Sequence, residues 1–213
     1  MKYGDALPKD YNIPTSAFWL RKDLTQSGNP FKNVDIVEGD RVMDCGAYIG
    51  TFAAACVEQG ATRVTCYEAA PKNAALLREN VMRYDGRVEV IEAAIVPYKD
   101  SHAVLTMSNF SGANSIVESP NRKKKITVKA LNFRDELQRI HPTILKLDVE
   151  GAEYALLESI NAEDLSSVRC LFVEFHPIEH REERYSEVQR LILEAGFWIR
   201  SHRLRTFTAA REL

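Results

Sequence analysis

Cysteine is scarce and scattered. Cys45, Cys56, Cys66 and Cys170 show no Cys-x-x-Cys spacing, and three of them fall in segments that read as buried strand or helix. A disulfide framework is therefore not expected, and reduced thiols in a cytoplasmic protein are. Long apolar runs are also missing: none approaches the roughly 20 residues that a membrane span needs. The start, Met1-Lys2-Tyr3-Gly4-Asp5, lacks an apolar segment behind a basic one. The expectation is a cytoplasmic, unprocessed chain with no membrane partner. Net charge is nearly absent, with 28 Lys plus Arg against 30 Asp plus Glu and a formal charge of -2. Such a chain has no global field to gather a polyanion, so nucleic acid is not favoured as a partner. There is no internal repeat and no low-complexity tract. The one charge run, Arg122-Lys123-Lys124-Lys125, reads as a solvated hairpin tip.

What the sequence does have is enough apolar material, 45% of 213 residues, for one well-buried core, and we read 1–213 as a single domain. Residues 1–35 carry Pro8, Pro14 and Pro30 around the apolar patch Ala17-Phe18-Trp19-Leu20, and read as an irregular N-terminal arm. Short apolar strands then alternate with amphipathic helices. The strands are Arg41 to Cys45, Arg63 to Glu68, Val88 to Glu92, Thr143 to Asp148 and Arg169 to Phe175. The helices are Ile49 to Gln59, a second opening at Pro71, Ala152 to Ile160 and Arg184 to Ala195. This alternation is the signature of an α/β fold with a doubly wound, mostly parallel sheet. Residues 95–130 break the pattern. There His102 to Met107 and Lys125 to Ala130 alternate as exposed strands do, and an inserted hairpin or flap is expected, with Ser111, Gly112, Asn114 and Ser115 near its tip. Phe197 to Ser201 and Leu204 to Thr208 read as an antiparallel pair at the sheet edge.

In Val42-Met43-Asp44-Cys45-Gly46-Ala47-Tyr48-Ile49-Gly50-Thr51 a strand ends at an acid and passes through a glycine turn into a helix. Gly46 lets backbone approach a ligand, and Gly50 lets the helix pack near the strand. Asp44 disfavours a pyrophosphate, because two anions repel at short range, but suits a zwitterionic amino acid with a sulfonium charge. The second glycine of the dinucleotide fingerprint is missing as well. Glu68, 24 residues after Asp44, ends the next strand, where an acid accepts hydrogen bonds from both ribose hydroxyls. The third strand ends at Glu92, and the small Ala93 after it leaves room for a purine and offers it a backbone N–H. These residues point to S-adenosyl-L-methionine as cofactor over Asp44, Gly46, Ala47, Tyr48, Gly50, Glu68, Glu92 and Ala93. Trp19 and Tyr48 are candidates to shield its sulfonium.

The densest polar cluster is Lys146-Leu147-Asp148-Val149-Glu150-Gly151-Ala152-Glu153, directly after an apolar strand. Ligands of open parallel sheets bind beyond the carboxyl ends of the strands, which is where these acids stand. Lys146 and Asp148 share one face by the two-residue period of a strand, so an ion pair is expected. Glu153 reads as a structural acid at a helix start.

The turn Val42 to Gly50 and the motif Lys146 to Glu153 together resemble those of the FkbM-type methyltransferases. Tyr67-Glu68-Ala69-Ala70-Pro71 is similar to that family's Glu-Pro-x-Pro segment, and Val173-Glu174-Phe175-His176 to its last-strand Glu-x-His. The resemblance covers about residues 34 to 178. Ala69, Ala70 and Asn132 depart from the usual pattern. What the resemblance implies is a Rossmann-like methyltransferase fold, S-adenosyl-L-methionine as donor and an oxygen nucleophile on the acceptor.

Methyl transfer to a hydroxyl is an in-line displacement that needs alignment and a proton acceptor. The catalytic candidates are Asp148 and His176 as bases, with Glu174 and Glu150 orienting the imidazole or the acceptor. A hard divalent ion on Asp148, Glu150 and Glu174 is a second use of the same carboxylates, although no ligand spacing demands a metal. The expected activity is O-methylation of a small-molecule or carbohydrate-like acceptor. RNA or protein methylation is the alternative within enzymes, and a non-catalytic cofactor-binding module the alternative outside them.

Overall fold

A strand covered on both faces is mostly apolar, and the strands at the centre of this sheet are, the buried Asp44 and Lys146 excepted. The computed structural model describes residues 34–84, 86–108, 113–117, 124–177, 181–203 and 206–211. Its main sheet has the order β3-β2-β1-β7-β8-β10-β9. The five parallel members, β1 (Arg41–Cys45), β2 (Arg63–Tyr67), β3 (Val88–Ile91), β7 (Ile144–Leu147) and β8 (Cys170–Glu174), are the five strands read from the sequence. The closing pair, β9 (Trp198–Arg203) and β10 (Thr206–Ala210), is antiparallel, and β10 joins the sheet antiparallel to β8.

Side-chain alternation sends each strand to two cores. Val42, Ile144 and Phe172 pack with Phe52 of α1 (Thr51–Glu58) and Leu77 of α2 (Pro71–Val81) on one face. Met43, Leu145, Leu171 and Val173 pack on the other face. Their partners there are Phe133 of α3 (Phe133–Ile140), Tyr154 of α4 (Glu153–Glu158) and Val188 of α5 (Arg181–Glu194). Helix α3 is an addition to the sequence reading. It starts at Asn132, whose side chain accepts a hydrogen bond from Asp135 N at 3.1 Å, the N-cap arrangement that favours asparagine there.

A second sheet has the order β4-β6-β5, from β4 (Ala94–Val96), β5 (His102–Met107) and β6 (Lys124–Asn132). The two segments expected to form a hairpin are antiparallel, with His102 opposite Lys129. Strand β4 adds a parallel neighbour on the far side of β6 and was not foreseen as a strand. Residues 1–33 of the expected arm over 1–35, with Trp19, the tip residues Ser111, Gly112, Arg122 and Lys123, and His180 lie outside the described residues, as does the side chain of His202.

The chain winds outward from β1 through β2 to β3, then returns to place β7 on the other side of β1. The connections leaving β1 and β7 therefore diverge, and such a switch point opens a crevice at the carboxyl ends of the strands. Both polar motifs sit there.

Candidate functional site

The turn after β1 is held by backbone and by one acid. Gly46 N and Ala47 N both donate to Tyr67 O at 3.0 Å, tying the turn to the end of β2. Gly46 (φ 82), Tyr48 (φ 52) and Gly50 (φ 85) all occupy the left-handed region. A Cβ on Gly46 would stand 1.8 Å from the carbonyl oxygen of Asp148. The close approach that requires glycine is thus first of all to the chain's own β7 exit, which brings the two motifs into contact. Tyr48 N donates to Glu68 Oε2 at 2.9 Å, and Glu68 Oε1 accepts from Ala70 N at 2.9 Å and Asn73 Nδ2 at 3.3 Å. Burial pushes the Glu68 carboxyl up to about 7, against the pull of these donors.

Asp44 and Lys146 are direct partners in the register of β1 and β7, and both point to the α1 face. Lys146 Nζ lies 3.0 Å from Asp44 Oδ1, 2.9 Å from Gly46 O and 3.4 Å from Asp148 Oδ2, and 5.9 Å from the centre of the Phe52 ring. Burial opposes the ammonium charge, yet Asp44 and Asp148 overcome it and raise the Lys146 value. Asp44 is fully buried, and its Oδ2 has no hydrogen-bond partner among the described residues. Its charge is met from within by Lys146. The expected Lys146–Asp148 pair is present; the closer Asp44–Lys146 pair was not foreseen, because the register of β1 against β7 joins residues far apart in the chain.

Beyond the ends of β7 and β8 the polar groups gather. His176, which follows β8, places Nδ1 2.9 Å from Glu153 Oε1 and Nε2 3.4 Å from Glu150 Oε2. Glu153 is fully buried; its Oε1 accepts from Val149 N at 2.9 Å and its Oε2 from Gly151 N at 3.1 Å. It is therefore the group that orients the imidazole from behind, a role the sequence reading gave to Glu174 or Glu150. The clue in the sequence was an acid placed where it closes the loop before α4. Glu150 holds φ 58, and its carbonyl accepts from Ser115 Oγ of the hairpin region at 2.6 Å.

The electrostatics follow from crowding. Burial works against a charge on His176, but the Glu153 hydrogen bond and the neighbouring carboxylates raise it to about 9. Burial pushes Glu150 up to about 7, opposed by His176, and raises Glu174, with Asp148 adding to the effect.

The structure thus brings together Asp148, Glu150, Glu174 and His176 at one place, and Asp44, Gly46, Ala47, Tyr48 and Gly50 beside it. Glu68 faces the turn from β2. Glu92 stands further out in an exposed pair with Arg78 at 2.9 Å, and Ala93 is buried with its N–H donated to Ile91 O at 3.1 Å. Among the described residues no helix is long and apolar enough to cross a membrane.

The family model described as the methyltransferase FkbM domain matches residues 44–199, which include the first motif from Asp44 onward and all of the second. No curated protein matches the chain. Among solved structures, methyltransferase FkbM from Methylobacillus flagellatus KT superposes with a TM-score of 0.53 at 17% identity, over 98% of this chain and 56% of that one. Precorrin-6y C5,15-methyltransferase from Geobacter metallireducens GS-15 superposes with a TM-score of 0.51 at 10% identity, over 97% of this chain and 94% of the other. At these identities the likeness shows the fold, a Rossmann-like methyltransferase α/β sandwich. This chain spans about 56% of the length of the FkbM structure.

Proposed function

The chain belongs to the FkbM methyltransferase family, and from that premise we propose that it transfers a methyl group from S-adenosyl-L-methionine to a hydroxyl oxygen of a small or carbohydrate-like acceptor. The observation that carries this reading is the bridge made by Lys146. Its ammonium touches both Asp44 behind the glycine turn and Asp148 in the polar cluster, so a donor site and an acceptor site share one buried cation.

The residues present fit the donor. A turn with three left-handed positions presents backbone to a ligand at the switch point. Glu68, already fixed by two backbone N–H groups, has lone pairs left for ribose hydroxyls. Asp44 and Lys146 stiffen the turn from beneath. When bound, the donor supplies an electrophilic methyl on a sulfonium.

The chain's own part is to orient, to exclude water and to receive a proton. Asp148 accepts the hydroxyl proton as the acceptor oxygen bonds to carbon, while His176, held protonated by its carboxylate neighbours, and Glu150 and Glu174 position the acceptor. Glu153 fixes the ring so that Nε2 faces the acids. We read the whole chain as one catalytic domain in which the β5–β6 hairpin reaches the site through Ser115.

The test is turnover with labelled donor against a panel of polyols, sugars and phenols, with total RNA and protein lysate alongside. The reading expects an alkali-stable methyl ether on a small acceptor, lost in Asp148→Ala and His176→Ala. Label only in RNA or protein, or no conversion of donor by a folded chain, contradicts it.

A further inference from the structure

We propose that Asp148, Glu150 and His176 form a binding site for one divalent cation of the Mn2+ class at the carboxyl ends of β7 and β8. One ligand atom from each residue can be chosen so that all lie within 4.8 Å of one another. An octahedral ion with bonds of about 2.1 Å sets adjacent ligands roughly 3 Å apart and opposite ones roughly 4 Å apart, so the present spacing needs only small side-chain movements. This ligand set differs from the acids expected on sequence grounds, since the histidine takes the place of Glu174.

The histidine separates this group from an ordinary acidic loop. Its Nδ1 is committed to Glu153 at 2.9 Å, and Glu153 is itself fully buried and held by two backbone N–H groups. With Nδ1 as the donor, the lone pair of Nε2 faces Glu150 Oε2 at 3.4 Å, acceptor against acceptor. In the metal-free chain a ring proton fills that gap, and a divalent ion that displaced the proton would meet the same two atoms. A carboxylate behind a histidine that faces further ligands is the arrangement by which proteins hold a metal-binding imidazole in place.

Charge counting agrees. Asp44, Asp148, Glu150, Glu153 and Glu174 contribute five carboxylates around the site, against Lys146 and the imidazole. A divalent ion offsets the excess. Carboxylates favour hard ions, and one imidazole shifts the preference from Mg2+ and Ca2+ towards Mn2+ and its neighbours. Three protein ligands leave positions for the acceptor oxygen, beside the turn that Gly46 presses against the Asp148 carbonyl.

The ion's chemical role rests on the methyl-transfer reading above; its binding does not. At this site an acceptor hydroxyl bound to the ion would lose its proton more readily, and with Asp148 taken up as a ligand the role of proton acceptor would pass from it to Glu174, outside the ligand set.

The full chain, stripped with chelator and titrated with Mn2+ alone, is followed by the paramagnetic resonance of free Mn2+ and by calorimetry. One ion per chain is expected, with affinity falling at least tenfold in Asp148→Asn and in His176→Ala. Glu153→Gln removes no ligand and is expected to weaken binding roughly 10- to 100-fold by releasing the ring. Arg63→Ala, on an exposed pair, leaves it unchanged. Circular dichroism reports folding, and Glu150→Gln replaces any variant that fails to fold. No binding at millimolar Mn2+, or binding indifferent to these substitutions, overturns the proposal. A chain that binds S-adenosylhomocysteine but no Mn2+ sinks the metal site and leaves the methyl-transfer reading standing. A chain that binds Mn2+ but no nucleoside does the reverse.

Discussion

The turn after β1 and the cluster after β7 touch at Gly46, yet they are built by opposite means. The turn is dry: its acid is buried and paired, and its hydrogen bonds run to backbone, to Glu68 and to Lys146. The cluster is partly open, with the Asp148 side chain 25% exposed and that of Glu150 22%, and it holds more negative charge than its own cations balance. The difference teaches a division of labour. On the proposed reading, the fixed turn holds the nucleoside by its form, whereas the unbalanced charged mouth is suited to moving a proton or holding an ion.

Changes to the dry side should cost stability first. Gly46→Ala is expected to have the largest effect, since its methyl meets the Asp148 carbonyl at 1.8 Å and φ 82 is unfavourable for alanine. Loss of the folded state, or destabilisation of at least about 4 kcal/mol in denaturant unfolding, is expected; a near-native midpoint would show that the two exits are not in contact. Lys146→Met comes next. It leaves Asp44 buried without its partner and should destabilise by about 3–5 kcal/mol, while Asp44→Asn combined with Lys146→Met should recover much of that loss. Additive losses in the double variant would break the claim that the pair acts as a unit.

Glu68 supplies a pH test. Its folded-state value of about 7 lies above the ordinary 4.5, so folding takes up a proton there. The stabilising contribution is complete below the unfolded value and is lost as pH rises through about 7, a change of about 3 kcal/mol. The wild-type stability curve should therefore fall relative to that of Glu68→Gln between roughly pH 4 and pH 8. Parallel curves would mean that the carboxylate is not desolvated. The smallest effect is expected at Arg63, whose pair with Glu89 at 3.2 Å is exposed: Arg63→Ala should alter unfolding by less than about 0.5 kcal/mol.

The parallel strands are legible because burial on both faces makes their runs mostly apolar, Asp44 and Lys146 apart, and Pro71, Gly60 and Gly196 mark helix ends plainly. Helix α3 was not legible in the same way. It is short and largely polar, and Asn132 stands out in the sequence as a departure from a motif more than as an N-cap. Strand β4 has only three residues and earns its place by pairing with β6, a contact no local pattern announces. At the site, the residue types were readable from the motifs, but their partners were not. The Asp44–Lys146 pair depends on strand order, and the grip of Glu153 on His176 joins the ends of two strands. Local chemistry is written in the sequence; which groups face each other is a property of the topology.

The central claim, that the turn from Asp44 to Gly50 with Glu68 holds an S-adenosyl donor, is tested most directly by calorimetric titration of S-adenosylhomocysteine into the metal-free full chain and into a folded Glu68→Ala variant. The account predicts one site per chain, weakened in the variant by at least tenfold, or about 1.4 kcal/mol. No heat of binding and no thermal shift at millimolar ligand, or equal affinity in the two proteins, would contradict it.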